Sequence, residues 1–285
     1  MGRLAEPAAP VPPHSPAASR RAGARTRGAF PIVAGGVALV GSLFFLVPLA
    51  GLVWRAPWSG LGGELGDAAV RDALRLSLVC SLAATALSLA LGVPLAWVLA
   101  RADFPGRRLL RALTTLPMVL PPVVGGVALL LAFGRRGLAG QWLYAWFGVQ
   151  LPFTTAGAVL AETFVAMPFL VLTAEAGFRS ADQRLEEAAR TLGARPWTVF
   201  RRITLPLVGP SLAAGAVLCW ARALGEFGAT ITFAGNFPGR TQTTPLKVFL
   251  LLESRPDAAI VLSLVLLAVS LAVLVGLRSR WLGSA

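Results

Sequence analysis

The sequence predicts an all-α membrane protein with six transmembrane helices, and three observations carry that prediction. Hydrophobic residues make up 56% of the 285 and charged residues only 14%, where a soluble domain carries roughly 25% charged residues. Apolar runs of roughly 20 residues recur, each long enough to cross a hydrocarbon core about 30 Å thick, and mean hydropathy is +0.71. The basic residues behind a net charge of +13 fall in separated clusters between those runs.

Taken in order, the chain opens with a Pro/Ala/Arg-rich tail over 1–29, typified by PAAPVPPHSPAASRRAGARTRG. It has too few large apolar side chains to fold. Its arginines precede an apolar run, as in a cleaved signal peptide. The run from Phe30 to Trp54 is too long for that and lacks a small-residue cleavage site before Arg55. It therefore reads as a retained first span, 30–54. Spans two and three are expected at 73–100 and 110–133. After them, Trp142, Tyr144, Trp146 and Phe147 read as an aromatic belt at the outer interface. Span four, 156–176, carries a carboxylate, Glu162, expected to pair with Arg222 or to cap a helix break near Pro168. A charged segment, 177–205, leads into span five, 206–233. Span six, 258–277, contains no charge, and a short C-terminus, 278–285, follows. Prolines 48, 94, 117, 121, 122, 168 and 210 lie within the spans. Each removes a backbone donor and kinks its helix, and the freed carbonyl needs a partner in the protein or in a wet cavity. That suits a transporter, although proline is also common in membrane helices generally.

The placement of charge excludes other classes. Seventeen of the 26 basic residues lie at the N-terminus, in the second and fourth loops and at the C-terminus. By the positive-inside rule both ends are then cytoplasmic in a multi-pass cell-membrane protein. A nucleic-acid reader would gather its charge on one groove-facing element, so no nucleic-acid partner is expected. Cys80 and Cys219 lie inside spans, where thiols act as small hydrophobes. The single histidine, His14, lies in the tail, so the inventory points to no metal site. A P-loop needs a lysine after its glycine, and the only lysine is Lys247, in TPLKVF. No enzyme activity and no bound cofactor are expected of this chain; any ATP chemistry belongs to a separate subunit.

The segment from Glu186 to Pro206, EEAARTLGARPWTVFRRITLP, is the most specific feature. Arg184 to Leu192 reads as a short helix with Leu185, Ala188, Ala189 and Leu192 on one face. Gly193 suits the left-handed geometry that closes a helix, and Pro196 the first turn of a second. The second carries Trp197, Phe200, Arg201, Arg202 and Ile203. The product is an elbow with small residues at its tip, and Leu205-Pro206 is expected to redirect the chain into the fifth span. The pattern Glu187-Ala188-Ala189, Gly193, Ile203, Leu205 and Pro206 resembles the EAA loop of ABC importer permeases. The resemblance implies that these residues couple the membrane domain to an ATPase subunit.

A second signal follows in ARALGEFGATITFAGNFPGRTQTTPLKVF, Ala221 to Phe249. Its runs GEFGAT, AGN and PGRTQT resemble molybdate permease subunits, with sulfate permeases close behind. The family implies a type I importer bundle in which two copies of the permease pair around a pore. An ATPase dimer, with ATP and Mg on it, binds below, and an extracytoplasmic binding protein delivers the oxyanion. Read from the residues alone, Arg222 and Glu226 are one helical turn apart and can pair. That pair is either a structural clamp or part of a face bordering the pore or gate. Phe227, Thr230 and Phe233 would form one stripe, with the phenylalanines as an apolar constriction. Thr230, Thr232 and Asn236 would offer neutral hydrogen bonds to a passing anion, which must leave as readily as it enters. Gly225 and Gly228 would allow close helix approach.

These readings converge on an ATP-driven importer permease for a tetrahedral oxyanion, most directly molybdate. Sulfate, thiosulfate and tungstate are the within-class alternatives. A stand-alone anion channel or secondary transporter is the alternative of another class, and it gives no reason for the elbow and shows no clear internal repeat.

Overall fold

The computed structural model describes residues 29–281. The tail expectation for 1–28 lies outside these, as do residues 282–285. Every regular element among the described residues is helical, and the chain divides near Ala50 into two units. The first is dominated by α1, Ala29–Trp54, apolar end to end and exposed from Val33 to Ala50. Pro48 lies within it without ending it.

The second unit is built on α3 (Ala68–Arg101), α7 (Thr155–Ser180) and α10 (Leu205–Leu224), which pack on one another. A short α2, Leu61–Gly66, precedes α3. Asp67 starts α3 by accepting a hydrogen bond from the Ala69 amide at 2.9 Å, and Thr154 starts α7 by accepting one from Gly157 at 3.0 Å. Such caps satisfy amides that the first turn leaves open. The contact faces are lined by small residues such as Ala84, Ala96, Ala166 and Ala174, with Leu99, Leu170, Val171 and Phe178 filling the gaps. Close approach of backbones replaces the hydrophobic drive that lipid cannot supply. Around this core lie α4 (Arg107–Val119), α5 (Pro122–Phe133), α6 (Gly140–Phe147), α11 (Gly228–Phe233), α12 (Thr244–Ser254) and α13 (Pro256–Trp281). The aromatics Trp142, Tyr144, Trp146 and Phe147 all lie on α6 and are exposed. Arg135 donates to the Tyr144 hydroxyl at 2.9 Å and lies over its ring.

Among the described residues, five helices are long and apolar enough to cross a membrane: Val33–Trp54, Ala68–Arg101, Thr155–Ser180, Pro196–Leu224 and Pro256–Val273. The expected third span, 110–133, is not one of them. It is broken into α4 and α5, with Leu120 in extended geometry at φ −65°, ψ 136°. Tandem prolines cause the break, since a residue before proline is pushed out of the helical region, and Leu120 and Pro121 both precede one. The expected fifth span, 206–233, stops at Leu224 and restarts at Gly228. The last helix reads through the expected boundary at 277 to Trp281. Helix α12 was not foreseen at all; Thr244 anchors it to α3 by donating from its amide to Ser77 Oγ at 2.6 Å.

Arg255, at the junction of α12 and α13, bonds Asp67 at 2.8 Å and Glu64 at 2.6 Å. These contacts tie the α12–α13 junction to α2 and the start of α3. Arg255 beside Asp67 holds its carboxyl below the usual carboxylate range, helped by the Ala69 amide. A carboxyl lowered in the folded state stabilises the fold above its unfolded pKa of about 3.9, and that contribution disappears as pH falls through the folded value. Arg255→Gln is therefore expected to lower the melting temperature of the detergent-solubilised chain at pH 7. The gap to the parent should close as pH falls below about 4; a gap constant from pH 7 to 3 would show that Asp67 does not carry it.

Candidate functional site

Two short helices follow α7 at the arginine-rich end of the bundle. Asp182 caps α8, Gln183–Thr191, by accepting from the Arg184 amide at 3.0 Å. The chain then turns at Gly193, which holds φ +84°. That left-handed geometry is open to glycine and costs other residues about 1–2 kcal/mol. Pro196 opens α9, Pro196–Val199. The outward side of this corner is apolar and small: Leu192 is 89% exposed, Trp197 68%, and Ala188 is exposed beside them. Trp197 stacks on Phe200 with centroids 5.7 Å apart.

Leu205 and Pro206 do not redirect the chain, contrary to the expectation from sequence. Helix α9 runs through a five-residue π segment, Phe200–Thr204, directly into α10. The Leu205 amide bonds back to Phe200 O, an i→i−5 step. A π segment is one way for a helix to accommodate a proline's missing donor. Helix α9, the π segment and α10 thus form one continuous helix from Pro196 to Leu224. Ile203 is half-buried, and Leu205 and Pro206 lie exposed on its side.

The carboxylate that fixes the corner is Glu186, buried at 8% exposure. Its Oε1 accepts from Arg101 of α3 at 3.1 Å and from the Thr204 hydroxyl at 3.0 Å; its Oε2 pairs with Arg190 at 3.3 Å. Glu187 is exposed and has no bonded side-chain partner among the described residues, and Ala189 is half-buried. Sequence reasoning passed over Glu186. Its only sequence signal was the four-residue spacing to Arg190. Nearby, Glu175 of α7 is 4% exposed and holds Arg111 at 2.6 Å and Arg179 at 2.7 Å.

The second group of expected residues surrounds the break after α10. Glu226 is 1% exposed. Its Oε2 pairs with Arg222 Nη1 at 2.6 Å, while its Oε1 accepts from the Ala229 amide at 2.9 Å. One carboxylate therefore closes the end of α10 and opens α11. Arg222 is taken by Glu226, so it is not the partner of Glu162. Glu162 is buried at 1% exposure, and its Oε2 has no hydrogen-bond partner among the described residues. The expected stripe of Phe227, Thr230 and Phe233 does not form one exposed face. Phe233 is fully buried among Leu129, Ala161, Val165 and Ala229. Thr230 is fully buried with its hydroxyl unpartnered among the described residues, and Phe227 is half-buried against Phe249, centroids 5.3 Å apart. The hydroxyl of Thr232 donates to Gly228 O at 2.8 Å, and Asn236 Oδ1 accepts from Gln242 at 3.0 Å. Thr232 and Asn236 therefore each already make a hydrogen bond within the protein. What holds α11 in place is its closeness to α5. A Cβ on Gly126 would stand 2.6 Å from Thr232 Cβ and 2.9 Å from Ala229 O. Gly228 lies similarly tight against Pro122 and Val123, whereas Gly225 meets no neighbouring helix.

This architecture has known counterparts. The family described as the inner membrane component of binding-protein-dependent transport systems matches residues 89–283. A molybdenum transport system permease protein of Mycobacterium tuberculosis is 47% identical over 243 residues, 85% of this chain and 92% of the relative. The chain belongs to this family. Its Escherichia coli counterpart is 45% identical over 211 residues, 74% of this chain and 92% of that one. A sulfate transport system permease protein of Escherichia coli is 36% identical, over 83% of this chain and 87% of the relative. Among solved structures, a bacterial alginate ABC transporter in complex with an alginate-bound periplasmic protein shares the fold. Its TM-score is 0.71 at 17% identity, over 88% of this chain and 94% of that one. The permease is therefore an integral inner-membrane transport component.

The two adjacent glutamates separate structural from exposed roles. Removing one partner of a buried ion pair costs about 3–5 kcal/mol, so Glu186→Ala is expected to destabilise the permease by about 3 kcal/mol. Glu187→Ala, on the surface, should stay within about 0.5 kcal/mol of the parent. Denaturant unfolding in mixed micelles measures both. Equal losses would mean that Glu186 does not fasten the corner.

Proposed function

We propose that this permease carries molybdate inward across the membrane, driven by ATP that a separate subunit hydrolyses. The observation that carries the cargo is the 47% identity, over 85% of the chain, to a relative named for molybdenum transport. The sulfate relative stands at 36%, which supports molybdate over sulfate. Two copies of the chain pair around the pore, a dimer of ATPase subunits binds ATP and Mg, and an extracytoplasmic binding protein delivers the anion. Both chain ends are cytoplasmic in this reading.

The corner of α8 and α9 is the proposed ATPase contact. Its exposed apolar residues Leu192 and Trp197, its small Ala188 and Ala189 and its uncommitted Glu187 support that reading. Such a surface admits a close backbone, and the carboxylate is free to accept hydrogen bonds from a partner. Glu186 transmits motion in two directions, to α3 through Arg101 and to the π segment through Thr204. At the other end of α10, Phe227 is the remaining gate candidate, with the Arg222–Glu226 pair setting its position. A ring in that place closes a path by excluding water.

Proteoliposomes containing the permease, its ATPase and the binding protein test the assignment. Labelled molybdate should accumulate only with ATP, and excess sulfate should compete weakly. Faster uptake of sulfate, or accumulation without ATP, would overturn it.

Gly193→Val tests the corner. Valine at φ +84° is strained by about 1–2 kcal/mol, so the turn should shift and uncouple ATP hydrolysis from molybdate uptake. Transport at the parent rate with normal assembly would place coupling elsewhere.

A further inference from the structure

An open groove of about 770 Å³ lies between the loop after α3, the start of α4 and the end of α7, lined by Asp103, Phe104, Arg107, Arg108, Arg111 and Arg179 among others. Four guanidinium groups meet only two carboxylates there. Arg107 pairs with Asp103, while Arg111 and Arg179 share the single Oε1 of Glu175. Arg108 is exposed and has no ionic or hydrogen-bond partner among the described residues. The groove thus carries a surplus of about two positive charges at short range, enough to hold one phosphate-type anion by charge-assisted hydrogen bonds.

Helix α4 adds a second, independent observation. Beginning at Leu109, it presents Leu109, Leu113 and Leu116 at helical spacing, 64%, 54% and 46% exposed, with Val119 at 84% beyond them. None of these residues belongs to a buried core cluster of the described chain. The groove also sits where α3 and α7, both long enough to span, come to an end, which is the level of lipid headgroups. An anionic head beside an apolar stripe is the shape of an amphiphile. A free oxyanion would use the arginines alone, and a zwitterionic headgroup would bring a cation that they repel.

We infer that this groove binds the phosphodiester headgroup of an anionic phospholipid, with the Leu109–Leu113–Leu116 stripe along its acyl chains. The inference does not depend on the identity of the cargo. The occupied groove would brace α4 against α7, with the phosphodiester meeting Arg108 and the outer edges of Arg111 and Arg179.

The test uses the full chain purified in detergent and mixed with phosphatidylglycerol or phosphatidylcholine. Native mass spectrometry reads retained lipid, and a melting curve reads stabilisation. The parent should retain phosphatidylglycerol in preference to phosphatidylcholine. Arg108→Gln, which breaks no internal contact, should lower that retention about tenfold. Arg71→Gln, the same charge change at the opposite end of α3, should leave it unchanged. Leu113→Ser should weaken retention with all four arginines in place. Equal retention of the two lipids, or an Arg108→Gln variant that retains phosphatidylglycerol like the parent, would overturn the inference. So would stabilisation by inorganic phosphate equal to that by phosphatidylglycerol, which would assign the groove to a free anion.

Discussion

A bilayer offers no hydrogen bonds, and the fold is organised around that deficiency. Every amide and carbonyl released where a helix stops within the membrane domain must be answered by the protein itself. The chain answers in two ways. At the end of α10 a single buried carboxylate, Glu226, takes the Arg222 guanidinium on one oxygen and the Ala229 amide on the other. Before Pro206, the helix instead widens into a π segment and never stops. Among the described residues, the buried side-chain atoms left without a partner include Glu162 Oε2 and Thr230 Oγ1.

Charge follows the same economy. Glu175, Glu186 and Glu226 are each buried, and each is shared by more than one donor. A buried pair adds little net stability over an apolar substitute, but losing one member is expensive. These carboxylates therefore fix geometry more than they add stability. Glu175 sets α4 against α7, Glu186 sets the corner against α3, and Glu226 sets α11 against α10. The apolar core between them, made largely of alanine and other small residues, has little shape of its own with which to choose a register.

Much of this was legible in the chain. The long spans were visible because twenty apolar residues have few other uses, and the Gly193 turn and Pro196 start were visible because glycine and proline have narrow backbone roles. Other features were not. Pro121 and Pro122 were read as a kink, although two prolines in a row also force Leu120 out of the helix. Leu205-Pro206 was read as a bend because helix propensity contains no notion of a π segment. The Phe227, Thr230 and Phe233 stripe failed because spacing along a helix does not say which face is inside, and the approach of α5 at Gly126 decided that. Glu186 was hidden beside Glu187. Identical side chains one position apart point about 100° apart on a helix, and only the position of Arg101, 85 residues earlier, separates their roles.

The continuity of α9 with α10 has a mechanical consequence. The helix from Pro196 to Leu224 contains 29 residues, which at 1.5 Å per residue is about 43 Å long. Hydrocarbon accounts for about 30 Å, so roughly 13 Å projects beyond it as a stiff arm ending at the corner. In the proposed function, with the helix pivoted at the membrane surface, a push of about 1 Å on that arm would become a swing of about 2 Å at Leu224. Those 2 Å arrive next to Glu226 and the half-buried Phe227, where α10 gives way to α11. The arm would then be the short side of the lever, and a small stroke by the proposed ATPase would be multiplied where the helix is broken.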